Sequence, residues 1–513
     1  MTGRLLAVAA VLVLVATACG DDTADSTTTA ARVTTTAVTT TTTAGPVTTQ
    51  VPATTTTLRE TTTMPPPLFD PEGASILEVQ RAMDEGRLTS VDLVGFSLAR
   101  IESLEPDLNA LITVNPGALE VAAALDAERA ESGGRGPLHG IPIVLKDNID
   151  TADLPTTAGS IALEGFVPPD DAAVVARLRA AGAVIIGKAN LYEWARTTRT
   201  VSSLGGLTLN PFDPDRNVGG SSGGTAVAVW GGMAVAGLGT DTCGSVRIPS
   251  SFLGLYGLRP TVGLGSTDGV IPLAPFEDTV GPMARSVEDL AIVLDAIAGD
   301  GQYLAAVRAR LPRKPRIGVV TSLFGGEAVV TSTVRDALAA MEADGATLVE
   351  VEVPNRSGLV GDAPAVLLRE FRFALDEYLA GSGAPVSSLA EIVDEGLYLP
   401  ELRDRLLTHL SWGSPEAAGL DAARARREPL REAVVAVMDE HDLDALAYPA
   451  VGALPAPLGE HQPGNNCATA SVAGLPALVI PAGDAEGFPV GLELLGRPFD
   501  EATLLQVAVA ARG

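Results

Sequence analysis

Two glycine-serine turns enclose a stretch of small apolar residues near the middle of the chain. The first is the GGSSGG segment that contains Ser221 and Ser222, and the second contains Ser245 in Cys243-Gly244-Ser245. Glycine at this density costs conformational entropy on folding, so it is typical of backbone that turns tightly or approaches another group closely. A serine beside free backbone N–H groups suits acyl transfer, because the hydroxyl attacks a carbonyl carbon and the amides stabilise the oxyanion. Such a nucleophile requires a base.

Lysine is the candidate base. Of the 35 basic residues only three are lysines, namely Lys146, Lys188 and Lys314. A buried lysine can lose its proton, whereas an arginine cannot. Lys146 ends the apolar run HGIPIVLK, so burial is expected to lower the pKa of its amine. Taken without other information, an exposed lysine at the end of a strand is the alternative, and Lys314 in RLPRKPR is interpreted as part of a solvated linker.

Several segments, in this order along the chain, resemble the amidase signature family: GIPIVLKDNID, GGSSGG, TDTCGSVRIPSSFLGLYGLRPT and GRPFDEATLLQVA. The resemblance runs from about Ser75 to the C-terminus. It implies a serine hydrolase in which Ser245 is the nucleophile, Ser221 follows a cis peptide bond and bridges the two partners, and Lys146 is the base. The implied reaction is hydrolysis of a linear carboxamide to a carboxylate and ammonia or an amine, through a Ser245 acyl-enzyme and without a cofactor.

The resemblance also implies roles for residues around this triad. Backbone N–H groups form the oxyanion hole, at Thr242, Cys243, Gly244 and Ser245. Side chains that support the site are Ser222, Thr240, Asp241 and Arg247. Cys243 departs from the family pattern, in which glycine is common, and is interpreted as a spacer. A disulfide between Cys243 and Cys467 is possible, although nothing in the sequence indicates it.

Two further segments are given a role by resemblance or by their position in loops. Lys188, in GKANLYEWA, matches a family motif and is interpreted as structural. Tyr448-Pro449 and the loop at residues 464–466 are expected to line the substrate cleft, because loops commonly carry binding residues.

Composition narrows the classes of partner. The net charge is −28, from 63 acidic and 35 basic residues, and aromatic residues are 4% of the chain. This balance disfavours nucleic acid as a partner, since binding to phosphate needs a basic surface. With four histidines, no HExxH and no Cys/His cluster, the sequence predicts no metal site. The expected partner is a small-molecule or peptide amide.

The N-terminus predicts export. Residues 1–18 combine Arg4 with the apolar run LLAVAAVLVLVATA, which is typical of a signal peptide. The ATAC ending resembles a bacterial lipobox and predicts lipidation of Cys19, with simple cleavage and release as the alternative. Residues 19–67 contain this site and a threonine-rich tract that is too polar to fold, so a disordered stalk is predicted. The amidase domain is assigned to residues 68–513, with membrane contact only through the lipid.

Alternating helix-like and strand-like patterns predict an α/β fold. RIGVV, TVRDALAAMEADGA and TLVEVEV form a plausible βαβ unit. The resemblance adds a central mixed β-sheet covered by helices on both faces.

Three other functions compete with this interpretation. GGSSG fits the nucleophile elbow of α/β-hydrolases, with His461 as a late histidine, but that elbow requires a strand immediately before it. The chain could instead be a tethered lipoprotein that binds a ligand without catalysis. It could also be the glutaminase subunit of a transfer-RNA-dependent amidotransferase, although such a subunit works in the cytoplasm with partner subunits.

Overall fold

The computed structural model describes residues 69–361 and 365–511 of the 513-residue chain. The predicted signal peptide, the lipidation site Cys19 and the stalk lie outside the described residues and stay predictions. Within the described part, no helix is both long enough and apolar enough to cross a bilayer.

The strands form one mixed sheet of 11 strands and one small two-stranded sheet. The strands are β1 (Leu111–Val114), β2 (Pro142–Lys146), β3 (Val184–Ala189), β4 (Val201–Ser202), β5 (Gly206–Leu207), β6 (Ala236–Asp241), β7 (Tyr256–Arg259), β8 (Thr279–Ala284), β9 (Arg316–Val320), β10 (Thr347–Val351), β11 (Ala445–Pro449), β12 (Ala477–Ala485) and β13 (Phe488–Leu495). The large sheet has the order β1-β3-β2-β6-β8-β7-β12-β13-β11-β9-β10, and β4 pairs with β5.

Helices separate most of the strands along the chain. They are α1 (Ile76–Asp84), α2 (Ser90–Leu108), α3 (Ala118–Ser132), α4 (Ala173–Ala180), α5 (Gly223–Trp230), α6 (Arg247–Phe252), α7 (Val287–Ala298), α8 (Tyr303–Ala309), α9 (Ala328–Ala343), α10 (Arg356–Val360), α11 (Ala365–Ser382), α12 (Leu389–Glu395), α13 (Arg403–Leu410), α14 (Leu420–Arg424), α15 (Arg427–Glu440), α16 (Ala468–Ala473) and α17 (Glu501–Ala510). The predicted βαβ unit is confirmed as β9, α9 and β10, because β9 and β10 are parallel neighbours.

The sheet is covered on two faces. Successive residues of β2 alternate between two hydrophobic clusters, since Ile143 and Leu145 belong to one and Val144 to the other. Side chains of neighbouring strand residues point to opposite faces, so each cluster covers one face. The predicted α/β class with a central mixed sheet is confirmed.

The strand order brings Lys146 close to the loop that contains Ser245. β2 lies between β3 and β6 as a parallel neighbour of both, so its last residue, Lys146, lies beside the end of β6 and the loop that follows. Ser245 is in that loop, four residues after Asp241 ends β6.

Candidate active site

Lys146 is held at the end of β2 among neutral oxygens. Its side chain is fully buried, and its Nζ lies 2.8 Å from Ser221 Oγ and 2.8 Å from Thr240 Oγ1. Burial lowers the pKa of Lys146 to about 7, against the charges of Asp241 and Asp278, which favour the protonated form. At neutral pH a substantial fraction of this amine is therefore unprotonated and can accept a proton.

Ser221 is placed by a tightly packed glycine turn. The Gly220–Ser221 peptide bond is cis, as the resemblance implies. A Cβ at Gly220 would lie 1.8 Å from the carbonyl oxygen of Arg199, so only glycine fits between the two segments. The Ser221 carbonyl accepts a hydrogen bond from Tyr192 N at 3.1 Å. The turn is thus anchored on the segment at residues 192–199.

Ser245 lies beside this turn and is 6% exposed. Its carbonyl accepts from Ser222 N at 3.1 Å, which links the two glycine-serine turns through the backbone. Among the described residues no hydrogen bond joins Ser245 Oγ to Ser221 Oγ. Catalytic hydrogen bonds are often long without substrate and shorten when it binds. The absence of a Ser245–Ser221 hydrogen bond is therefore compatible with Ser245 as nucleophile.

The backbone after β6 offers donors to an oxyanion. Of the four predicted N–H groups, that of Gly244 already donates to Asp241 Oδ1 at 2.8 Å. Gly244 is therefore removed from the predicted set, because its N–H does not face an incoming oxygen. The N–H groups of Thr242, Cys243 and Ser245 have no acceptor within the described chain. These three are the donors that the geometry leaves free.

A buried ion network supports the loop, as predicted for Asp241 and Arg247. Arg247 Nε lies 3.1 Å from Asp241 Oδ2, and its Nη1 lies 2.6 Å from Glu493 Oε1. Burial by itself raises the pKa of Asp241, but Arg247 and Arg259 hold it well below its usual range. The carboxylate therefore stays ionised and fixes the backbone N–H groups of Gly244 and Val246.

Thr240 and Ser222, the other two predicted supporting residues, contact the base. Thr240 Oγ1 lies 2.8 Å from Lys146 Nζ, and Ser222 Oγ donates to the Thr240 carbonyl at 3.2 Å. Thr240 also accepts from Asn148 Nδ2 at 3.2 Å. These contacts fix the position of the amine relative to Ser221.

Cys243 is not a free spacer. It forms a disulfide with Cys467, 224 residues further along the chain. Cys467 immediately precedes α16, and its carbonyl accepts from Arg247 Nη2 at 3.3 Å. The cystine therefore ties the oxyanion loop to a second segment that the Arg247 network already contacts. The interpretation of Cys243 as a spacer is wrong, because the residue forms a covalent bond to a second segment. The sequence did not indicate this bond, because pairing between distant residues has no local signature.

Three residues that the sequence reasoning missed complete the support. Arg259 Nη1 lies 3.1 Å from Asp241 Oδ1 and donates to the Thr242 carbonyl at 3.2 Å. Asp278 accepts from Thr242 Oγ1 and from the backbone N–H of Leu273 at 2.9 Å. Glu493 pairs with Arg247. Arg259 lies within the family-like segment GLRPT, which is the one available signal, whereas Asp278 and Glu493 have no motif that singles them out.

Lys188 and Tyr448 are buried side chains that contact supporting residues. Lys188 is fully buried with Thr156 Oγ1 at 2.5 Å and Asp147 Oδ1 at 3.7 Å, in agreement with a structural role. Tyr448 is also fully buried, and its hydroxyl donates to Glu493 at 2.9 Å. Tyr448 therefore supports the Arg247 network and does not line an open cleft, contrary to expectation.

The loop at residues 464–466 is joined to the site through the cystine. Asn465 Oδ1 accepts from Cys467 N at 2.9 Å, and Asn466 Nδ2 donates to the Pro449 carbonyl at 2.8 Å. Both asparagines are half-buried, so this loop borders the site and also braces it.

The α/β-hydrolase elbow is excluded by the chain before Ser221. In the described chain the nearest preceding strand is β5, which ends at Leu207, and residues 208–220 form no strand. His461, the histidine of that alternative, is exposed.

Among the described residues there is no group of three His, Cys, Asp or Glu side chains that could hold a metal ion.

Known proteins match most of the length of this chain. Residues 92–505 match the family model described as Amidase. The chain is 38% identical over 472 residues to the A subunit of the glutamyl-tRNA(Gln) amidotransferase of Chloroflexus aurantiacus, covering 85% of this chain and 95% of that protein.

Solved structures are similar along most of the chain. Native peptide amidase from Stenotrophomonas maltophilia superposes with a TM-score of 0.79 at 37% identity, covering 86% of this chain and 97% of that one. The A subunit of the glutamyl-tRNA(Gln) amidotransferase from Thermotoga maritima gives a TM-score of 0.68 at 28% identity, with 86% and 94% covered.

Proposed function

Because the chain belongs to the amidase signature family and is a hydrolase of amide C–N bonds, we propose that it cleaves linear carboxamides, including peptide amides, through an acyl-enzyme on Ser245. The observation that carries this mechanism is the position of Lys146, whose buried Nζ lies 2.8 Å from Ser221 Oγ. The similarity to a peptide amidase supports the substrate class.

The proton path follows from the order of the three residues. Unprotonated Lys146 takes the proton of Ser221 while Ser221 takes that of Ser245, and the Ser245 oxygen bonds to the amide carbonyl carbon. The C–N bond then breaks, and the leaving nitrogen receives the proton that Lys146 had accepted. Water attacks the Ser245 ester through the same relay and releases the carboxylate. A residue that is both base and acid works best with a pKa near the working pH, and burial gives Lys146 a pKa of about 7.

The oxyanion is stabilised by backbone donors. The N–H groups of Thr242, Cys243 and Ser245 have no acceptor in the described chain and belong to one loop. That loop is fixed by Asp241, Arg259 and the cystine before substrate binds, so little reorganisation accompanies the developing charge. Loss of one such donor typically costs about 10²–10³-fold in rate.

The test is ammonia release from simple, aryl and peptide amides by the wild type and by Ser245→Ala. We expect hydrolysis by the wild type and none by the variant, and covalent labelling of Ser245 by a fluorophosphonate. A protein that neither releases ammonia nor is labelled would instead be the ligand-binding lipoprotein. Labelling without turnover of any amide would place the error in the substrate class and not in the nucleophile.

The glutaminase subunit of an amidotransferase is the second candidate. It is favoured by the 38% identity to the corresponding amidotransferase protein of Chloroflexus aurantiacus. The export signal predicted for residues 1–18 opposes it, because transfer-RNA charging is cytoplasmic. Glutamine hydrolysis that rises only when the two other subunits of an amidotransferase are added would favour this candidate over a free-standing amidase.

Export and lipid attachment at Cys19 are part of the proposal. They are supported by the N-terminal apolar run and by the cystine Cys243–Cys467, since disulfides persist mainly outside the reducing cytosol. Intact mass of the mature protein should show a diacylglycerol adduct on a chain that starts at Cys19. A soluble chain cleaved elsewhere would restrict the proposal to export alone, and an unprocessed cytoplasmic chain would exclude it.

A further inference from the structure

Arg196 is a buried cation that has no ion-pair partner among the described residues. The residue is 6% exposed, and its Nε and Nη1 are buried without a hydrogen-bond partner among the described residues. A buried polar group without a partner is costly, and a buried charge more so, so such a group in a native fold calls for an explanation. Burial and the nearby Arg405 lower the pKa of Arg196 to about 9, which keeps it a cation at neutral pH.

Other buried arginines in the described chain have acceptors, which makes the contrast informative. Arg247 pairs with Asp241 and Glu493, and Arg259 pairs with Asp241. Arg199, three residues after Arg196, pairs with Glu401. Arg259 Nε is also without a partner, so what distinguishes Arg196 among the described residues is that its Nη1 has none either and that no carboxylate pairs with it.

The face of the Arg196 guanidinium packs against an aromatic ring, whereas Nε and Nη1 on its edge are buried without a hydrogen-bond partner among the described residues. Its Cζ lies 4.6 Å from the centre of the Phe371 ring, a cation–π contact that uses the flat face of the group. The N–H groups point outward from the edge, and that edge matches the two oxygens of a carboxylate. The neighbouring Trp194 Nε1 is a second buried donor without a partner among the described residues. Both orphan groups are donors, so a ligand for this segment must bring acceptors.

The segment that carries Arg196 borders the catalytic turn. Tyr192 N donates to the Ser221 carbonyl at 3.1 Å, and the Arg199 carbonyl packs against Gly220. Trp194 N donates to the Ala158 carbonyl at 3.0 Å, and Ala158 N donates to Asp147, the residue after Lys146. Arg196 thus lies on a loop that is fixed to the turn of the bridging serine on both sides.

The aromatic partner of Arg196 connects it to elements that contact the oxyanion loop. Phe371 belongs to α11, and its neighbour Glu370 accepts from Phe276 N at 3.1 Å. Phe276 lies two residues before Asp278, which accepts from the Thr242 hydroxyl. Arg196 therefore lies between the cis-serine turn and α11, the helix fixed to the loop behind Thr242.

We infer that Arg196 binds a carboxylate carried by the amide substrate, so that the enzyme prefers acidic amides. The inference rests on the proposed amidase function and deepens it by naming the substrate class. In a chain of net charge −28, anionic substrates are repelled at long range, so a dedicated cation beside the site is what would admit them.

The kinetic test uses substrate pairs that differ only at one end. Monoamides of the dicarboxylic acids from succinic to suberic acid are compared with the amides that carry a methyl group in place of the carboxylate, so that the chain length that fits is found by experiment. For the best-fitting length, the wild type should show a kcat/KM about 10- to 100-fold higher on the carboxylate member, as expected for a charged hydrogen-bonded pair. Arg196→Met should remove this preference while changing the rate on the methyl member less than about threefold, since the methyl member makes no such pair.

Two further variants separate recognition from structure. Arg196→Lys keeps the charge but not the two-pronged edge, so it should restore only part of the preference. Arg199→Met removes a nearby arginine that already has a carboxylate partner and should keep the preference. Removal of an unpaired buried charge should leave the Tm unchanged or raise it, whereas a purely structural arginine would lower it. If Arg196→Met does not fold, Arg196→Gln replaces it.

A binding measurement keeps this inference separate from the catalytic proposal. Ser245→Ala is titrated with glutarate and adipate, and its Tm is compared with that of Ser245→Ala/Arg196→Met. A Tm increase that requires Arg196 supports carboxylate binding even if no amide is turned over. Equal rates on both members of every pair, together with no Tm response to either dicarboxylate, would overturn the inference while leaving the hydrolysis of neutral amides intact.

Discussion

Two buried lysines lie at the ends of neighbouring parallel strands, and their partners differ. Lys146 contacts the hydroxyl oxygens of Ser221 and Thr240, each at 2.8 Å, and has no carboxylate within ion-pair distance in the described chain. Lys188, in β3, contacts Thr156 and lies 3.7 Å from Asp147. Burial lowers the pKa of both amines, and Asp147 opposes that shift directly at Lys188.

The comparison shows what makes a buried lysine a base. Hydroxyl partners orient an amine without compensating for its charge, so the unprotonated form is accessible near neutral pH. A neighbouring carboxylate stabilises the protonated form of the amine, and the charged lysine then serves as a structural cation. Equal burial at two strand ends thus leaves Lys146 able to act as a base and makes Lys188 a structural cation.

The largest effect is expected at Lys146. Arginine keeps a positive charge but has no lone pair available at working pH, so Lys146→Arg should be nearly as inactive as Lys146→Ala. General-base catalysis sets a minimum loss of about 10²–10⁴-fold, and more where the triad acts as one unit. The measurement is ammonia release, with folding checked by thermal melting. A folded Lys146→Arg enzyme with more than about a tenth of wild-type activity would exclude lysine as the base.

Replacing Lys188 should lower the free energy of unfolding and leave the catalytic rate nearly unchanged. Lys188→Met leaves the fully buried Asp147 without its cation, and breaking a buried pair in this way costs about 3–5 kcal/mol. Urea unfolding should show that loss, while the rate per folded molecule stays within about tenfold, or roughly 1.4 kcal/mol in barrier. The double variant Lys188→Met/Asp147→Asn should recover part of the stability. If Lys188→Met unfolds normally but is inactive, the two lysines share a catalytic role.

The cystine should contribute less to stability than the buried pair. Replacing Cys243 by glycine, the residue that is common at this position in the family pattern, breaks the Cys243–Cys467 bond. A lost disulfide typically costs about 2–4 kcal/mol, and the activity should stay within about tenfold because Asp241 and Arg259 still hold the loop. Denaturant unfolding and thiol titration measure both. Titration of both thiols in the unreduced mature enzyme would show that the bond does not form.

The smallest expected effect is the change in rate with pH, which should depend on Lys146 and not on Lys188. Because burial lowers the pKa of Lys146 to about 7, the amine is protonated and inactive as a base below that pH and unprotonated above it. The rate should therefore rise through about pH 7 and level off, with roughly a tenfold deficit one unit below the midpoint. Lys188→Met should keep the same midpoint. A rate that is flat between about pH 6 and 10, or a midpoint that moves with Lys188→Met, would contradict the assignment.

The sequence alone predicted the class of fold and, through the resemblance to the amidase signature family, the residues of the triad. Hydrophobic runs and periodicity predict helices and strands locally, which is why β9, α9 and β10 were foreseen. The rarity of lysine and the glycine-serine turns made Lys146, Ser221 and Ser245 candidates, and the resemblance to the amidase signature family gave each its predicted role in the triad.

Only the tertiary structure decided what surrounds that triad. The cystine joins residues 224 positions apart, and Glu493 meets Arg247 from a separate strand, so neither contact has a local signature. Whether a buried side chain has a hydrogen-bond or ion-pair partner also cannot be predicted from the sequence. Arg196 and Arg259 are the same residue type, yet Arg259 pairs with Asp241, whereas Arg196 packs against the face of Phe371 and has no ion-pair partner in the described part of the chain. Burial and partnership depend on how distant segments pack, and they decide which charges hold the fold together and which are left for a ligand.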